Sequence, residues 1–299
     1  MKRKLIKQGG GGFTFYVPKN WVAERGLKAG EDIDVEEVND KLVISSGSKH
    51  KLETKIKLEE NTAHYIYVKL SHAYRMGYDK ISLTFTDDQD IKKIAKIVKD
   101  NLLGFEITHK EKNKCILENI TEPTEEKFSV LLRRIYLQIK ETHSLILKDF
   151  IGHKKENQEE IKEIRTSLDK HIFFCRRIIS KKINIEENSI LLWELLTFLM
   201  HIHHSYYYMY ESYNPEKLNS KTISLIKELE EYFNKYYRAY FEKNEAYLNQ
   251  ISKQKNKLFE EIFGELNNHK NKDKIVLSYL KEIVRLIQIG GSPVRAMLQ

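Results

Sequence analysis

Proline occurs only four times in this chain of 299 residues, at Pro18, Pro123, Pro215 and Pro293. Its ring removes a backbone donor and clashes with the turn before it, so long helices have room in the intervals between. From Pro123 onward the pattern is helical throughout. Phe128, Leu131, Leu132, Ile135, Ile139, His143, Ile146, Leu147 and Phe150 recur on one face, the period of an amphipathic helix. Further helices are predicted over residues 155–182, 188–213, 216–243, 245–268 and 272–289. Breaks are expected near Gly152-His153, residues 184–187, Asn214-Pro215 and residues 267–272. Short connections between six helices imply two antiparallel three-helix units.

The preceding residues have a different texture. Over residues 54–121 a strand at Lys55-Ile56-Lys57-Leu58 leads into a helix closed by Gly77. A strand then runs over residues 80–85, and a second helix ends at Gly104. Residues 105–109 and 115–120 form a hairpin about Lys112-Asn113. The order βαβαββ predicts a small sheet with helices on one face. Residues 47–55 read as a polar linker.

Residues 1–46 read as short strands around one short helix. Gly9, Gly10, Gly11 and Gly12 precede an alternation of Phe13, Phe15 and Val17, which is a strand pattern. Pro18 stops the strand, Asn20 is placed to cap a helix at Trp21, and Gly26 ends it. Ile33 to Glu36 alternates again, and Asn39-Asp40 turns into Leu42-Val43-Ile44. A phosphate-cradling loop would need Gly-Lys-Ser/Thr and a following helix; a strand follows here, so the glycines read as a hairpin tip.

Charge is unevenly placed. The chain carries a net +8, a balance compatible with a polyanionic partner. Residues 1–30 hold seven basic side chains (Lys2, Arg3, Lys4, Lys7, Lys19, Arg25, Lys28) against Glu24, whereas residues 31–46 hold six acids against Lys41. Cys115 and Cys175 stand far apart, in no metal or redox spacing, and no signal-peptide pattern follows Met1, so a cytoplasmic location is expected. The most apolar stretch, Ser189 to Tyr210, contains Glu194, His201, His203 and His204. It reads as a core helix and not a membrane span.

The head resembles a known family. Lys4-Leu5-Ile6-Lys7-Gln8-Gly9, Phe15-Tyr16-Val17-Pro18-Lys19-Asn20-Trp21 and Gly26-Leu27-Lys28-Ala29-Gly30-Glu31-Asp32 are similar to the swapped-hairpin DNA-binding domains of the AbrB/MazE/SpoVT type. That resemblance implies two interleaved chains, a homodimer, with the basic first strand and its turn facing DNA. It makes Arg3, Lys4, Lys7, Lys19 and Arg25 the candidate phosphate contacts. The rest of the chain resembles a PhoU-like helical domain, in an arrangement known from archaea. Ala73-Tyr74-Arg75-Met76-Gly77-Tyr78-Asp79, Leu103-Gly104-Phe105-Glu106-Ile107 and Leu131-Leu132-Arg133-Arg134-Ile135 carry this resemblance. It implies a transcriptional regulator of phosphate uptake, partnered by DNA and by phosphate-transport or signalling proteins. The alternative is a PhoU-type adaptor that binds a transporter or kinase and uses its head only to dimerise. An antitoxin is disfavoured by the long structured chain after the head.

The resemblance breaks at one point. PhoU-like bundles bind metal clusters through Glu-x-x-x-Asp motifs, but Glu163 and Asp169 here have the wrong spacing, and Leu199-Met200-His201-Ile202-His203-His204-Ser205 lacks both carboxylates. No cofactor is therefore expected. Glu194, His201 and His204 lie on roughly one helical face, a weak candidate set for a transition metal, and histidines satisfied by hydrogen bonds are the simpler reading. Tyr206-Tyr207-Tyr208-Met209-Tyr210 has no interleaved base and reads as core or a helix interface. No nucleophile and base can be placed in one pocket, so no enzymatic activity is expected.

Overall fold

The computed structural model describes residues 2–38, 41–45, 51–86, 90–121, 123–181, 188–215 and 217–299. The chain is mixed α+β, with small sheets in its N-terminal part and a helical bundle after them. It divides into two units, residues 1–51 and 52–299.

The first unit holds two hairpins around one short helix. Strands β1 (Ile6–Gln8) and β2 (Gly12–Thr14) pair antiparallel, with Lys7 opposite Phe13. Helix α1 spans Lys19–Glu24. Asn20 lies inside it instead of capping it; Pro18 is the cap residue and offers no side-chain acceptor. Its fixed φ suits a helix start. Gly26 follows at φ +63, as a helix end favours. Strands β3 (Asp34–Val38) and β4 (Lys41–Ser45) form the second hairpin. The turn expected at Asn39-Asp40 lies outside the described residues.

The second unit begins with the βαβαββ pattern. Its strands β5 (Glu53–Lys57), β6 (Lys80–Thr84), β7 (Phe105–Glu111) and β8 (Lys114–Asn119) form one sheet in the order β5-β6-β8-β7. β5 and β6 are parallel because α2 (Ala63–Arg75) crosses between them; a parallel pair requires such a crossover. α3 (Asp90–Asn101) lies beside α2, and both pack onto α5 (Gln158–Ser180) of the bundle. Ile81, Leu83, Cys115 and Leu117 from the strands meet Ile66, Leu70, Tyr74, Ile94 and Val98 from the helices in one core.

The bundle comprises α4 (Glu125–Gly152), α5 (Gln158–Ser180), α6 (Ser189–Glu211), α7 (Ser220–Phe241), α8 (Ala246–Asn267) and α9 (Lys274–Met297). Thr124 caps α4 by accepting from the Lys127 N–H at 3.3 Å, and Glu125 and Glu126 oppose the positive end of the helix. His153 ends α4 in the left-handed region at φ 55. The break expected at residues 184–187 lies outside the described residues. α4, α5 and α6 pack together, α7, α8 and α9 pack together, and α6 lies along α9.

One helix end departs from expectation. α9 does not stop at residue 289 but continues through Gly290, Gly291 and Pro293. These glycines are contact positions and not terminators. A Cβ on Gly290 would stand 2.7 Å from Tyr236 Oη and 3.1 Å from Phe198 Cβ. The Tyr236 hydroxyl also donates to the Gly290 carbonyl at 2.9 Å. The crossing of α9 with α6 and α7 leaves no room for a side chain there. Among the described residues, no helix is long and apolar enough to cross a membrane.

Candidate nucleic-acid interface

The first unit lacks a core of its own. None of the residues 2–35 and 41–45 is buried, although this segment is rich in apolar side chains. Leu5 is 71% exposed, Phe13 64% and Tyr16 75%, and on the second hairpin Val35 and Leu42 are more than half exposed. Val35 pairs with Ile44 and Glu37 with Leu42, so Val35, Leu42 and Ile44 occupy one face of the ribbon. Each hairpin is hydrogen-bonded only within itself. A lone two-stranded ribbon is marginal in water, and a row of open backbone groups is a template for another strand.

The basic side chains sit on this scaffold. Arg3, Lys4, Lys7 and Lys19 are exposed, and none of them is among the ion pairs of the described residues. Lys7 stands on β1 next to the glycine tip, and Lys19 opens α1. At the tip Gly9 and Gly11 take φ of +55 and +119, and no atom lies within 4 Å of where a Cβ would stand on Gly9, Gly10 or Gly11. A backbone bare of side chains can approach a phosphate closely. Arg25 is different. Its guanidinium lies 4.5 Å over the Trp21 ring, donates to the Trp21 carbonyl at 3.4 Å, and stands 3.8 Å from Glu24. Arg25 is thereby turned onto its own helix.

The histidine face of the second unit does not assemble a metal site. Among the described residues there is no group of three or more His, Cys, Asp or Glu side chains arranged to hold a metal ion. His204 is claimed by Asp169 of α5, with Nε2 2.9 Å from the carboxylate. His203 is fully buried against the Thr142 hydroxyl at 3.0 Å, and His143 lies 3.3 Å from the Tyr206 hydroxyl. Burial lowers the proton affinity of His143 to about 4, and that of His203 to about 3 with help from the charges of His204 and Arg165. Both are neutral structural groups at pH 7. Tyr206 and Tyr210 are core residues, and the Tyr210 hydroxyl donates to Asp149 at 2.5 Å. Tyr208 is exposed, and Arg165 of α5 stacks on Tyr207 and Tyr208. The base missing from that tyrosine run comes from a neighbouring helix, which spacing along one segment does not reveal.

A buried ion cluster ties the small sheet to the bundle. Arg177 of α5 is fully buried and donates to the Tyr74 and Tyr78 carbonyls and to Asp79 Oδ1, at 3.0, 2.7 and 2.7 Å. Its guanidinium lies 5.2 Å from the Tyr74 ring and 4.9 Å from Phe105. The segments 73–79 and 103–107, singled out in the sequence, meet on this one side chain.

No protein-family model, curated protein or solved structure matches the chain.

Proposed function

We propose that the chain is a dimeric, DNA-binding transcriptional regulator, and not an enzyme. In this reading residues 1–46 are a swapped-hairpin head of the AbrB/MazE/SpoVT type. The helices after Pro123 are a PhoU-like part that senses a signal or contacts another protein in the control of phosphate uptake. The observation that carries the reading is the unfinished head. Two ribbons with exposed apolar faces and open edges bring four unpaired cations to one short stretch of chain. A second copy would cover the apolar faces and double the cations to eight. The phosphate link rests on resemblance alone, in segments 73–79, 103–107 and 131–135.

The test is salt-dependent DNA binding by the full chain, using fragments selected from a random-sequence pool. A variant with Lys4→Ala, Lys7→Ala and Lys19→Ala removes six cations from the dimer. At about 0.9 units of log-log slope per phosphate contact, the salt dependence should flatten by about 5. Unchanged affinity and slope would refute DNA contact by the head. The chain would then be better read as a PhoU-type adaptor that uses this domain only to dimerise.

A further inference from the structure

One face of α5 carries an unbalanced charge. Arg165, Asp169, Phe173 and Arg176 succeed one another at spacings of four, four and three residues, which places them in a row along the helix. α2 flanks this row with Tyr67 and Arg75, and α6 with Thr197, His201, His204 and Tyr208. Side-chain contacts join the three helices. The Arg75 guanidinium lies 4.9 Å over the Phe173 ring, whose centroid is 6.3 Å from that of Tyr67. Arg165 stacks 4.2 Å from Tyr207 and donates to the Tyr208 hydroxyl at 3.2 Å. Arg176 donates to the Thr197 hydroxyl at 2.8 Å and lies 5.1 Å from the Trp193 ring.

Every acceptor these arginines use is neutral. Arg75 bonds the Ser71 carbonyl, Arg165 a phenol and Arg176 an alcohol. Among the described residues none of the three pairs with a carboxylate, whereas Arg177, Arg238, Arg285 and Arg295 all do. Asp169 is the one acid within the row, and its Oδ1 is engaged by His204. Arg176 is 4% exposed, and its Nε has no hydrogen-bond partner among the described residues. Burial, and after it the charge of Arg75, lowers its proton affinity to about 10, against the pull of Asp169. Removing guanidinium groups from water without a counter-charge is costly. Three cations against one acid leave the seam short of negative charge.

We propose that the seam of α2, α5 and α6 binds a ligand bearing phosphoryl groups, held by Arg165 at one end and by Arg75 at the other, where the buried Arg176 adds its charge. The planar guanidinium fork matches phosphoryl oxygens bidentately, and a net excess of two positive charges favours a dianion over a single carboxylate. Arg165 and Arg176 are eleven residues apart, about 16 Å of helix. A ligand with several phosphoryl groups therefore reaches more of the row than free phosphate does. Asp169 and His204 lie between the ends and accept or donate to a ligand hydroxyl. The inference does not depend on DNA binding: variants of the head leave this seam intact, and variants of the seam leave the head intact.

Calorimetric titration of the full chain at constant ionic strength tests it, with inorganic phosphate, tripolyphosphate and ATP as separate probes. Saturable binding is expected for at least one, and the ranking separates free phosphate from a polyphosphate or nucleotide source. Arg75→Gln and Arg165→Gln each remove a half-buried side chain and should weaken the best probe about tenfold. Arg75→Lys, which keeps the charge without the fork, should fall between them and the parent. Unaltered far-ultraviolet dichroism identifies the variants that remain folded, and the lysine variant serves where a glutamine variant does not. Absence of saturable binding by all three probes would overturn the proposal, as would equal affinities in the parent and the folded variants.

Discussion

Replacing Asp79 by Asn tests the cluster that joins the small sheet to the bundle. The Asp79 side chain is 8% exposed and accepts from Arg177 Nη2 at 2.7 Å, from Lys181 Nζ at 2.5 and 2.6 Å and from the Leu52 N–H at 3.1 Å. Asn keeps the shape and removes the charge. Lys181 is 19% exposed and can turn to solvent, so its loss adds little. Arg177 is wholly enclosed between Tyr74, Phe105 and two carbonyls and cannot follow. Breaking a buried pair from one side costs about 3–5 kcal/mol, because the remaining ion stays desolvated. In a unit of this size each kcal/mol moves the midpoint by about 2–4 °C, so thermal unfolding followed by circular dichroism should shift down by about 6–20 °C. Asp79→Asn combined with Arg177→Met should recover part of this loss, since no orphaned charge remains. The recovery is incomplete because the Tyr74 and Tyr78 carbonyls lose their donor. A single-variant loss under about 1 kcal/mol, or strict additivity in the double variant, would refute this account of the cluster.

The crossing of α9 gives a paired prediction. Gly290→Ala gains about 1 kcal/mol of helix propensity but drives a methyl into Tyr236 Oη, for a net loss of about 1–2 kcal/mol. Gly291→Ala meets only the flexible Leu248 Cδ2 at 3.2 Å and should be near neutral when both variants are compared by urea titration. The buried histidines predict acid sensitivity. Their folded proton affinities lie below the unfolded value near 6.5, so the stability they contribute is complete above that pH. It is lost as pH falls toward about 4, while the unfolded chain takes up the protons first. With His143, His171 and His203 all neutral in the fold, the slope between pH 6 and 4.5 should approach about 4 kcal/mol per pH unit; a flat urea midpoint across that window would contradict it. Val35→Asp with Leu42→Asp places charge on the exposed ribbon face, and light scattering should show a dimeric parent giving way to a monomer. A variant that stays dimeric would remove this face from the interface.

Local chemistry made the helices and the small sheet legible, and tertiary contact hid the rest. The apolar period over residues 128–150 is readable because one side of the helix is buried: Phe128, Leu132, Ile135, Ile139, His143, Ile146 and Phe150 are enclosed, and Leu131 and Leu147 are partly so. The helix expected to end at residue 289 runs on through Gly290-Gly291, although glycine usually ends helices. The deciding groups, Tyr236 and Phe198, lie on α7 and α6 and send no signal into the local sequence. Glu194, His201 and His204 share an approximate face by spacing, but Asp169 on another helix takes His204. Arg177 is isolated in the same way, its carboxylate partner standing ninety-eight residues earlier.

The two units therefore present opposite problems of satisfaction. In the second unit polar groups that look unexplained in the sequence find a partner on another element, as His203, Tyr210 and Arg177 do. Arg75, Arg165 and Arg176 stand out because the same packing supplies rings, hydroxyls and a carbonyl but no carboxylate paired to any of the three among the described residues. In the first unit it is the apolar groups that remain open, and intramolecular strand pairing stops at two strands in each ribbon. Burying a side chain such as Leu42 or Phe13 is worth about 1.5–3 kcal/mol, so a row of them left in water is a strong drive toward association. A chain with an uncovered apolar ribbon at one end and an uncompensated cationic seam within its helices is incomplete in two chemically distinct ways. The proposed dimer would cover the first, and the proposed phosphoryl ligand would balance the second.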